Sequence, residues 1–477
     1  MKLRALSTPI AAAVAASLLL SACGSLAPKY EAPAVDTPVE FKEGKGAWVT
    51  AAPADTLERG PWWELFDDPV LSQLEAQVES ANQTVAAAVA AYDQARALTR
   101  EQRASLFPQV GLDAGATRSG RGGGGGSTSS YKVDIGASWE PDVFGRLRLN
   151  VDSARYNEQA VLADLAAARL AAQGELAVAY FGLRLSDVAR GLVEETLAGY
   201  ERTLRITRNR YEAGVVARTD VLQAETQLAN SRSDLLGLER TRAQYEHAIA
   251  VLVGKAPANF SLPPQKNWTA RVPGIPPEVP SVLLQRRPDI AAAERAVARA
   301  NAQVGVARAG YYPSFGINGS IGSSAASIGD LFNVHSLVWS LGLSLAQTIF
   351  DAGATGARVD ASKAALEQVS ARYRQTVLTA FQDVEDQLVA LRVLQQQQSL
   401  RAEASRAADL VEQQVLNRYQ AGQVNYTEVV TAQVGAFNAR RALVQAQIDR
   451  QLAAVALIQA LGGGWRGLGV PVAAGGN

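Results

Sequence analysis

Alternating apolar and polar residues mark four short segments of the chain. In YKVDIGASWE (131–140), apolar or aromatic residues occupy the odd-numbered positions, and the even-numbered positions are charged, polar or glycine. Because successive side chains of a strand point to opposite faces, this segment predicts a strand with one apolar and one polar face. Ten residues is about the length of a tilted membrane-spanning strand. The same pattern predicts three further strands, at 108–119, 313–322 and 336–345.

Two long zones without proline, 142–256 and 314–470, carry the pattern of very long helices instead. From Leu176 to Tyr211, leucine or tyrosine recurs every seven residues, with one interruption at Arg190. Proline breaks helix interiors, and a seven-residue apolar spacing is typical of helices that pack as coiled coils do. The longest predicted helix would extend on the order of 100 Å. In the first half of the chain, helices are predicted at 74–105, 146–211 and 218–253.

The chain contains two copies of one unit. RYEAGVVARTDVLQAETQL begins at Arg210, and the similar RYQAGQVNYTEVVTAQVGA begins 208 residues later, at Arg418. SLFPQVGLDAG from Ser105 likewise resembles GYYPSFGINGS from Gly310. An offset this large indicates a duplication and not a solenoid of short repeats. In the second copy, helices are predicted at 357–420 and 427–461.

The N-terminus has the pattern of an exported lipoprotein. Lys2 and Arg4 precede an apolar stretch that ends in LSAC (20–23), which is typical of a secretory signal. LSAC also resembles a bacterial lipobox, which predicts acylation of Cys23; the alternative is a plain signal peptide with an incidental cysteine. The predicted division of the chain is a signal peptide (1–22), a lipidated extended segment (23–73), repeat 1 (74–256), a proline-rich linker (257–286), repeat 2 (287–461) and a C-terminal tail (462–477).

Four strands with one apolar face predict part of a β-barrel wall in lipid. The alternative, a hairpin on a soluble core, requires an amphipathic helix to cover the apolar face. Open sheet edges are very costly in hydrocarbon, and four strands cannot close a barrel. Identical chains should therefore share the barrel, although this argument does not choose between two, three and four copies. The polar faces would then line a water-filled lumen with Asp113, Lys132, Asp134, Glu140 and Asn318.

Composition and motifs argue against other classes of function. Lys plus Arg and Asp plus Glu both number 46, so the charge balance gives no reason to expect a nucleic-acid partner. The two histidines, His247 and His335, are far apart in sequence, and Met1 and Cys23 are the only sulfur-containing residues. These features support neither a metal site nor a serine–histidine catalytic arrangement. We expect no enzyme activity and no cofactor.

Several motifs together resemble the outer-membrane efflux lipoproteins, the TolC/OprM-like (NodT-type) outer-membrane factors of tripartite efflux systems. The motifs are the lipobox, WWELFDDPVLSQLEAQVESANQTV (62–85), EPDVFGRLR (140–148), QRRPDIAAAERAVARANAQVGVARAGYYPS (285–314), TIFDAG (348–353) and the paired RYxAG turns. The resemblance implies a membrane α+β fold. In it, a homotrimer forms a twelve-stranded transmembrane β-barrel, four strands per chain, continued by a long periplasmic α-helical barrel.

The resemblance also implies a function and partners. The protein would be a passive exit duct for drugs or toxic small molecules in the bacterial outer membrane, in contact with outer-membrane lipid. It would work with a periplasmic adaptor protein and an inner-membrane RND-type transporter. Two alternatives stay open: the outer-membrane duct of a type I protein-secretion system, and a non-conducting structural lipoprotein of the envelope.

Family members close the tube at the helical turns, which correspond to 210–220 and 418–428 here. The resemblance assigns a hydrogen bond between Tyr419 and Asp220 to the closed gate, and an acidic ring to Glu428. The chain departs from some members at Val424, where they carry Arg, and at Thr431, where they carry a second Asp. Polar residues beside a helical turn are otherwise often solvated caps. The predicted gate residues are Arg210, Thr219, Asp220, Arg418, Tyr419 and Glu428.

Overall fold

The computed structural model describes residues 26–44, 61–120, 127–274 and 287–463. Its contacts separate two compact units. The first contains the described residues up to Val35 and those within Ala91–Leu162 and Ala292–Gln375. The second contains the described residues within Asp36–Ala90, within Ala163–Ala291 and from Thr376 onward. The signal peptide (1–22), Cys23, the linker residues 275–286 and the tail residues 464–477 lie outside the described residues.

The described residues of the first unit form one antiparallel sheet in the order β1-β2-β3-β4. Strand β2 begins four residues before the start predicted from alternation, and β3 extends three residues beyond its predicted end. Both extensions consist of serine, threonine and alanine, whose weak apolar contrast hides the alternation. The strands are β1 (Gln109–Gly120), β2 (Ser127–Trp139), β3 (Ser314–Ala325) and β4 (Leu337–Ala346).

One face of this sheet is apolar and open. Trp339 and Leu343 of β4 are 72% and 76% exposed, and Leu112 of β1 is equally open. Their cross-strand partners place them on one face with Ile135 and Ile321. In water, such a row would need a covering helix, and no described helix buries it. The soluble-core alternative therefore lacks the cover that it requires.

The helix predicted over 74–105 is two helices, α1 (Pro69–Ala81) and α2 (Gln83–Ala104). They are separated at Asn82, whose backbone is extended (φ −68°, ψ 124°). The Asn82 Oδ1 accepts hydrogen bonds from the backbone N–H groups of Thr84 and Val85, and its Nδ2 donates to the carbonyl oxygen of Leu252. The side chain thus caps α2 and ties it to another helix. This tertiary contact is not visible in the sequence pattern.

Each repeat supplies one long helix and one return helix of matching length. The long helices α3 (Arg146–Glu212) and α6 (Ala354–Gln420) have 67 residues each, and the return helices α4 (Arg218–Leu252) and α7 (Tyr426–Ala460) have 35 each. A further helix, α5 (Pro288–Ala309), precedes β3. Gly214 lies in the turn from α3 to α4 and Gly422 in the turn from α6 to α7, with φ of 74° and 73°. This left-handed conformation favours glycine and ends helices cheaply.

The second unit is held by the seven-residue ladder and by a buried ionic cluster. Leu176 and Leu183 of the ladder are fully buried, whereas Tyr211 at its end is 42% exposed. Asp187 pairs with Arg184 at 3.0 Å and with Arg242 at 2.7 Å. Its carboxylate also accepts from the backbone N–H of Gln265, which fixes the first half of the proline-rich linker. In the described ranges, no helix is long and apolar enough to cross a membrane.

Candidate gate and lumen

The two helical turns bring together a tyrosine of repeat 2 and a threonine of repeat 1. Tyr419, near the end of α6, is only 1% exposed. Its hydroxyl lies 3.2 Å from the Thr207 Oγ1 of α3, which is also buried. A hydrogen bond between buried neutral groups contributes about 0.5–1.5 kcal/mol net, and its loss leaves the remaining partner unsatisfied. This hydrogen bond therefore adds a small stabilising free energy to one specific contact between α3 and α6.

Arg210 holds the same tyrosine from a second side. Its Nη1 donates to the carbonyl oxygen of Tyr419 at 2.6 Å, and its guanidinium lies 4.6 Å from the centre of the Tyr419 ring. A cation over an aromatic face adds about 0.5–2 kcal/mol, depending on exposure. Because the guanidinium is planar, one side chain makes both contacts at once.

An apolar cluster surrounds this contact. Tyr426 is buried with its ring 5.6 Å from that of Tyr419, and Ala224 and Val429 complete the cluster. Burial is the main cause that raises the pKa of Tyr426, and smaller contributions come from the neighbouring tyrosines and, last, from Asp220. The Tyr426 hydroxyl is therefore protonated at every physiological pH, and the cluster does not gain charge.

The expected hydrogen bond between Tyr419 and Asp220 is not present in the chain. Asp220 lies half-buried in the first turn of α4, and none of the described residues donates a hydrogen bond to its carboxylate. The buried Tyr419 ring packs along α3, so its hydroxyl reaches Thr207 instead. Thr207 was not singled out from the sequence. The available signal was its place three residues after Leu204, at the second core position of the heptad, where a hydroxyl is unusual.

The other predicted gate residues lie on the surface of the single chain. Thr219, Arg418 and Glu428 are exposed. Glu428 is in the first turn of α7, where its backbone N–H donates to the Asn425 Oδ1 cap at 3.1 Å. Val424, which stands where some family members carry arginine, is apolar and packs against this cluster.

Four of the five predicted lumen residues share the polar face of the sheet. Asp113 lies directly opposite Asp134, and Lys132 pairs with Asp134 at 3.0 Å. Asn318 follows on the same face, opposite Ser138. Glu140 differs, because it lies one residue beyond β2.

Both carboxylate oxygens of Glu140 accept hydrogen bonds from Arg146 at the start of α3. The strand face therefore carries two acids and one base per chain. Throughout the described residues, no three His, Cys, Asp or Glu side chains are grouped to hold a metal ion.

Comparisons with known proteins agree with this geometry. The profile of the family described as "Outer membrane efflux protein" matches residues 74–255 and 279–463, which correspond to the two repeats. The antibiotic efflux pump outer membrane protein ArpC of Pseudomonas putida is 31% identical over 458 residues, 94% of each chain. The cation efflux system protein CusC of Escherichia coli is 29% identical and covers 94% of this chain and 97% of its own.

A solved channel has the same fold. The open state of the Neisseria gonorrhoeae MtrE outer membrane channel superposes with a TM-score of 0.81 at 30% identity. The superposition covers 92% of this chain and 98% of that one. The sheet and the paired long helices therefore have the architecture of an outer-membrane channel.

Proposed function

Because this chain belongs to the outer membrane efflux protein family and is the outer-membrane channel of an efflux pump, we propose that three copies of it form a passive duct. The duct would export drugs or toxic small molecules, with a periplasmic adaptor and an inner-membrane RND-type transporter that supplies the energy. The observation that carries this proposal is the four-stranded sheet with one open apolar face and one polar face.

Closure of the sheet supports a shared barrel. Within the described residues, no strand pairs with the outer edge of β1 or of β4. Each edge exposes unpaired backbone N–H and C=O groups, which lipid does not tolerate. Pairing of β4 with β1 of the next copy satisfies both edges, and three copies close a twelve-stranded barrel. The apolar row then faces lipid, and Asp113, Lys132, Asp134 and Asn318 face the lumen.

The helices of the second unit also have faces that need a neighbour. Ion pairs join α3 to α4, as in Arg232–Glu201, and α6 to α7, as in Arg440–Asp409. The return helix α4 exposes Leu236, and the long helix α6 exposes Leu400. Large apolar residues on helix surfaces favour burial against another helix. Contact between α6 of one copy and α4 of the next would close a periplasmic helical barrel.

The contact between Tyr419, Thr207 and Arg210 is proposed as the closed gate within each copy. Asp220, Thr219, Arg418 and Glu428 would lie around the mouth, with Glu428 attracting cations. Three copies of a contact of about 1–3 kcal/mol hold a closed state that a docked adaptor can shift. Acylation of Cys23 would anchor each copy to the outer membrane.

Conductance and drug sensitivity test this function together. The purified protein should form ion-conducting channels in planar lipid bilayers, whereas a structural lipoprotein should not conduct. A deletion strain should become more sensitive to drugs and regain resistance from a plasmid copy. Loss of a secreted protein with unchanged drug sensitivity would instead support the secretion duct.

A further inference from the structure

The in-chain contact at the helical turns is an interface between the two repeats. Three buried side chains of repeat 2, Tyr419, Tyr426 and Gln433, rest on repeat 1. Tyr419 meets Thr207, and Gln433 Nε2 lies 3.4 Å from the Thr203 Oγ1. These side chains of repeat 2 thus pack against a surface that α3 and α4 of repeat 1 form.

The equivalent surface of repeat 2, on α6 and α7, is exposed in the single chain. Val411 and Val415 lie 208 residues after Thr203 and Thr207 and are their equivalents in repeat 2. Thr203 is 2% exposed, whereas Val411 is 50% exposed. An open groove of about 650 Å³ lies there between α6 and α7. Its lining includes Ala408, Val411, Val415, Glu428, Ala432 and Ala436.

The side chains of repeat 1 that are equivalent to Tyr419 and Tyr426 are also exposed in the single chain. The same offset of 208 residues relates Tyr419 to Tyr211 and Tyr426 to Arg218. Tyr211 is 42% exposed, and Arg218 is exposed too. A groove and its matching side chains therefore lie unpaired on different repeats of the same chain.

We propose that the groove between α6 and α7 of one copy receives Tyr211 and Arg218 of the next copy. We call each contact between neighbouring repeats a joint. The joint between copies rests on the proposed trimer, in which six similar repeats alternate around a ring. In a closed ring, the contact from repeat 1 to repeat 2 within a chain recurs from repeat 2 to repeat 1 of the next chain. The guanidinium of Arg418 then stacks on the partner copy's tyrosine 211, as Arg210 stacks on Tyr419.

The joint between copies has a different chemistry from the joint within a chain. Val415 replaces Thr207, so the Tyr211 hydroxyl gains no threonine partner. Arg218 takes the place of Tyr426, which packs in one cluster with Ala224 of α4, one helical turn from Asp220. The 208-residue equivalent of Asp220 is Glu428, which carries no ion pair among the described residues. Arg218 of one copy and Glu428 of the next therefore form an ion pair across the joint.

This difference makes the joint between copies the salt-sensitive part of the gate. Because Glu428 would lie at the water-filled mouth, salt reaches and screens this ion pair, whereas a buried hydrogen bond between neutral groups is not screened. The closed state should therefore loosen between copies first as ionic strength rises. The six joints therefore alternate between three with the Tyr419–Thr207 hydrogen bond and three with the Arg218–Glu428 ion pair.

Charge reversal tests the ion pair in the assembled channel. Arg218→Glu and Glu428→Arg should each raise single-channel conductance in planar bilayers at least twofold at low salt. The double variant restores opposite charges and should return the conductance to near the wild-type value. Arg202→Glu, a reversal of an exposed arginine on α3, is the matched control and should have little effect. Equal or additive effects in the double variant would overturn the ion pair.

Engineered cysteines test which chains meet. With a bis-maleimide crosslinker long enough to span an arginine–glutamate contact, Arg218→Cys with Glu428→Cys should produce covalent dimers and trimers on denaturing gels. Arg202→Cys with Glu428→Cys is the control and should not. A native trimer without crosslinks, or with crosslinks only inside one chain, overturns this joint and leaves the proposed channel intact. A folded monomer that does not conduct overturns the proposed function itself.

Discussion

The guanidinium of Arg210 lies 4.6 Å from the centre of the Tyr419 ring and donates to the Tyr419 carbonyl oxygen at 2.6 Å. These residues are 209 positions apart and belong to different repeats. Their contact ties the turn of one helical pair to the other at the level where the predicted gate lies. A loss of this tie should loosen the gate without unfolding the long helices.

Removal of the Tyr419–Thr207 hydrogen bond should open the channel more often. Tyr419→Phe removes the hydroxyl, keeps the buried ring and leaves the buried Thr207 hydroxyl without this partner. Each copy loses about 0.5–1.5 kcal/mol of closed-state preference, and single-channel conductance should rise several-fold. Thr226→Val is the control, since the Thr226 hydroxyl donates only within its own helix, to Leu222. Unchanged conductance in Tyr419→Phe would remove this pair from the gate.

The ion selectivity of the proposed barrel should follow the charge on the polar face of the sheet. Asp113 and Asp134 against Lys132 leave one net negative charge per chain. A pore lined in this way concentrates cations, so the reversal potential in a salt gradient should indicate a cation preference. Asp113→Asn should reduce this preference and Asp113→Lys should reverse it. Glu31→Gln, on an exposed N-terminal residue paired with Lys29, should leave it unchanged. Identical reversal potentials in all variants would place Asp113 away from the lumen.

Glycine at position 322 is required by the close approach of β3 to β2. A Cβ at Gly322 would lie 2.3 Å from the Cβ of Asp134 and from the carbonyl oxygen of Val133. Gly322→Ala should therefore distort the sheet and lower the temperature at which trimers dissociate on denaturing gels. Gly115→Ala is the matched control, because nothing lies within 4 Å of its added Cβ. Equal effects of the two substitutions would argue against this close approach.

Glu75 should make the stability of the helical unit depend on pH. Its side chain is fully buried in α1, and neither carboxylate oxygen has a hydrogen-bond partner among the described residues. Burial, with a smaller contribution from Glu79, raises the pKa of Glu75 to about 9. Between the ordinary pKa and this value, the folded chain retains a proton that the unfolded chain has lost. Stability therefore falls as pH rises through that range.

Glu75→Gln removes the ionisable group and should flatten this dependence. Thermal unfolding followed by circular dichroism at pH 5.5 and pH 8.5 measures it. The wild type should lose several degrees in Tm at the higher pH, and the variant should lose less. Glu64→Gln, at an exposed position, should behave as the wild type does. A wild-type Tm that rises with pH would contradict the buried neutral carboxyl.

Lipidation is a further prediction, on a residue outside the described part of the chain. Cells grown with labelled palmitate should incorporate the label into the wild-type protein. Cys23→Ser should abolish it, because Cys23 is the only cysteine of the chain. Label retained in the variant would contradict the lipobox interpretation of LSAC.

Regular patterns could be interpreted from the sequence because each depends on local periodicity. The alternation around Tyr131 and Trp139 indicated a two-faced strand, and the ladder from Leu176 indicated a long packed helix. The observed α3 begins at Arg146, as predicted, and ends one residue later than predicted. Where local contrast is weak, as at the serine-rich start of β2, the predicted boundary was less accurate.

Specific partners were less predictable because they depend on which elements meet. The break at Asn82 follows from a contact with Leu252, 170 residues away. The Tyr419 hydroxyl meets Thr207 and not the expected Asp220, because the ring is buried along α3. Glu140 continues the strand alternation in sequence, yet its carboxylate pairs with Arg146 beyond the end of the strand.

The sequence by itself determined the two repeats, the four two-faced strands and the long helices, and hence the membership in a channel family. Periodicity and duplication are properties of the chain alone, so they need no knowledge of distant contacts. Only the tertiary structure decided which side chains meet at the helical turns, where the gate is proposed, and which are left exposed. Burial of Tyr419 and exposure of Tyr211, its equivalent in the other repeat, depend on which helix packs beside each, and the repeated sequence is the same for both.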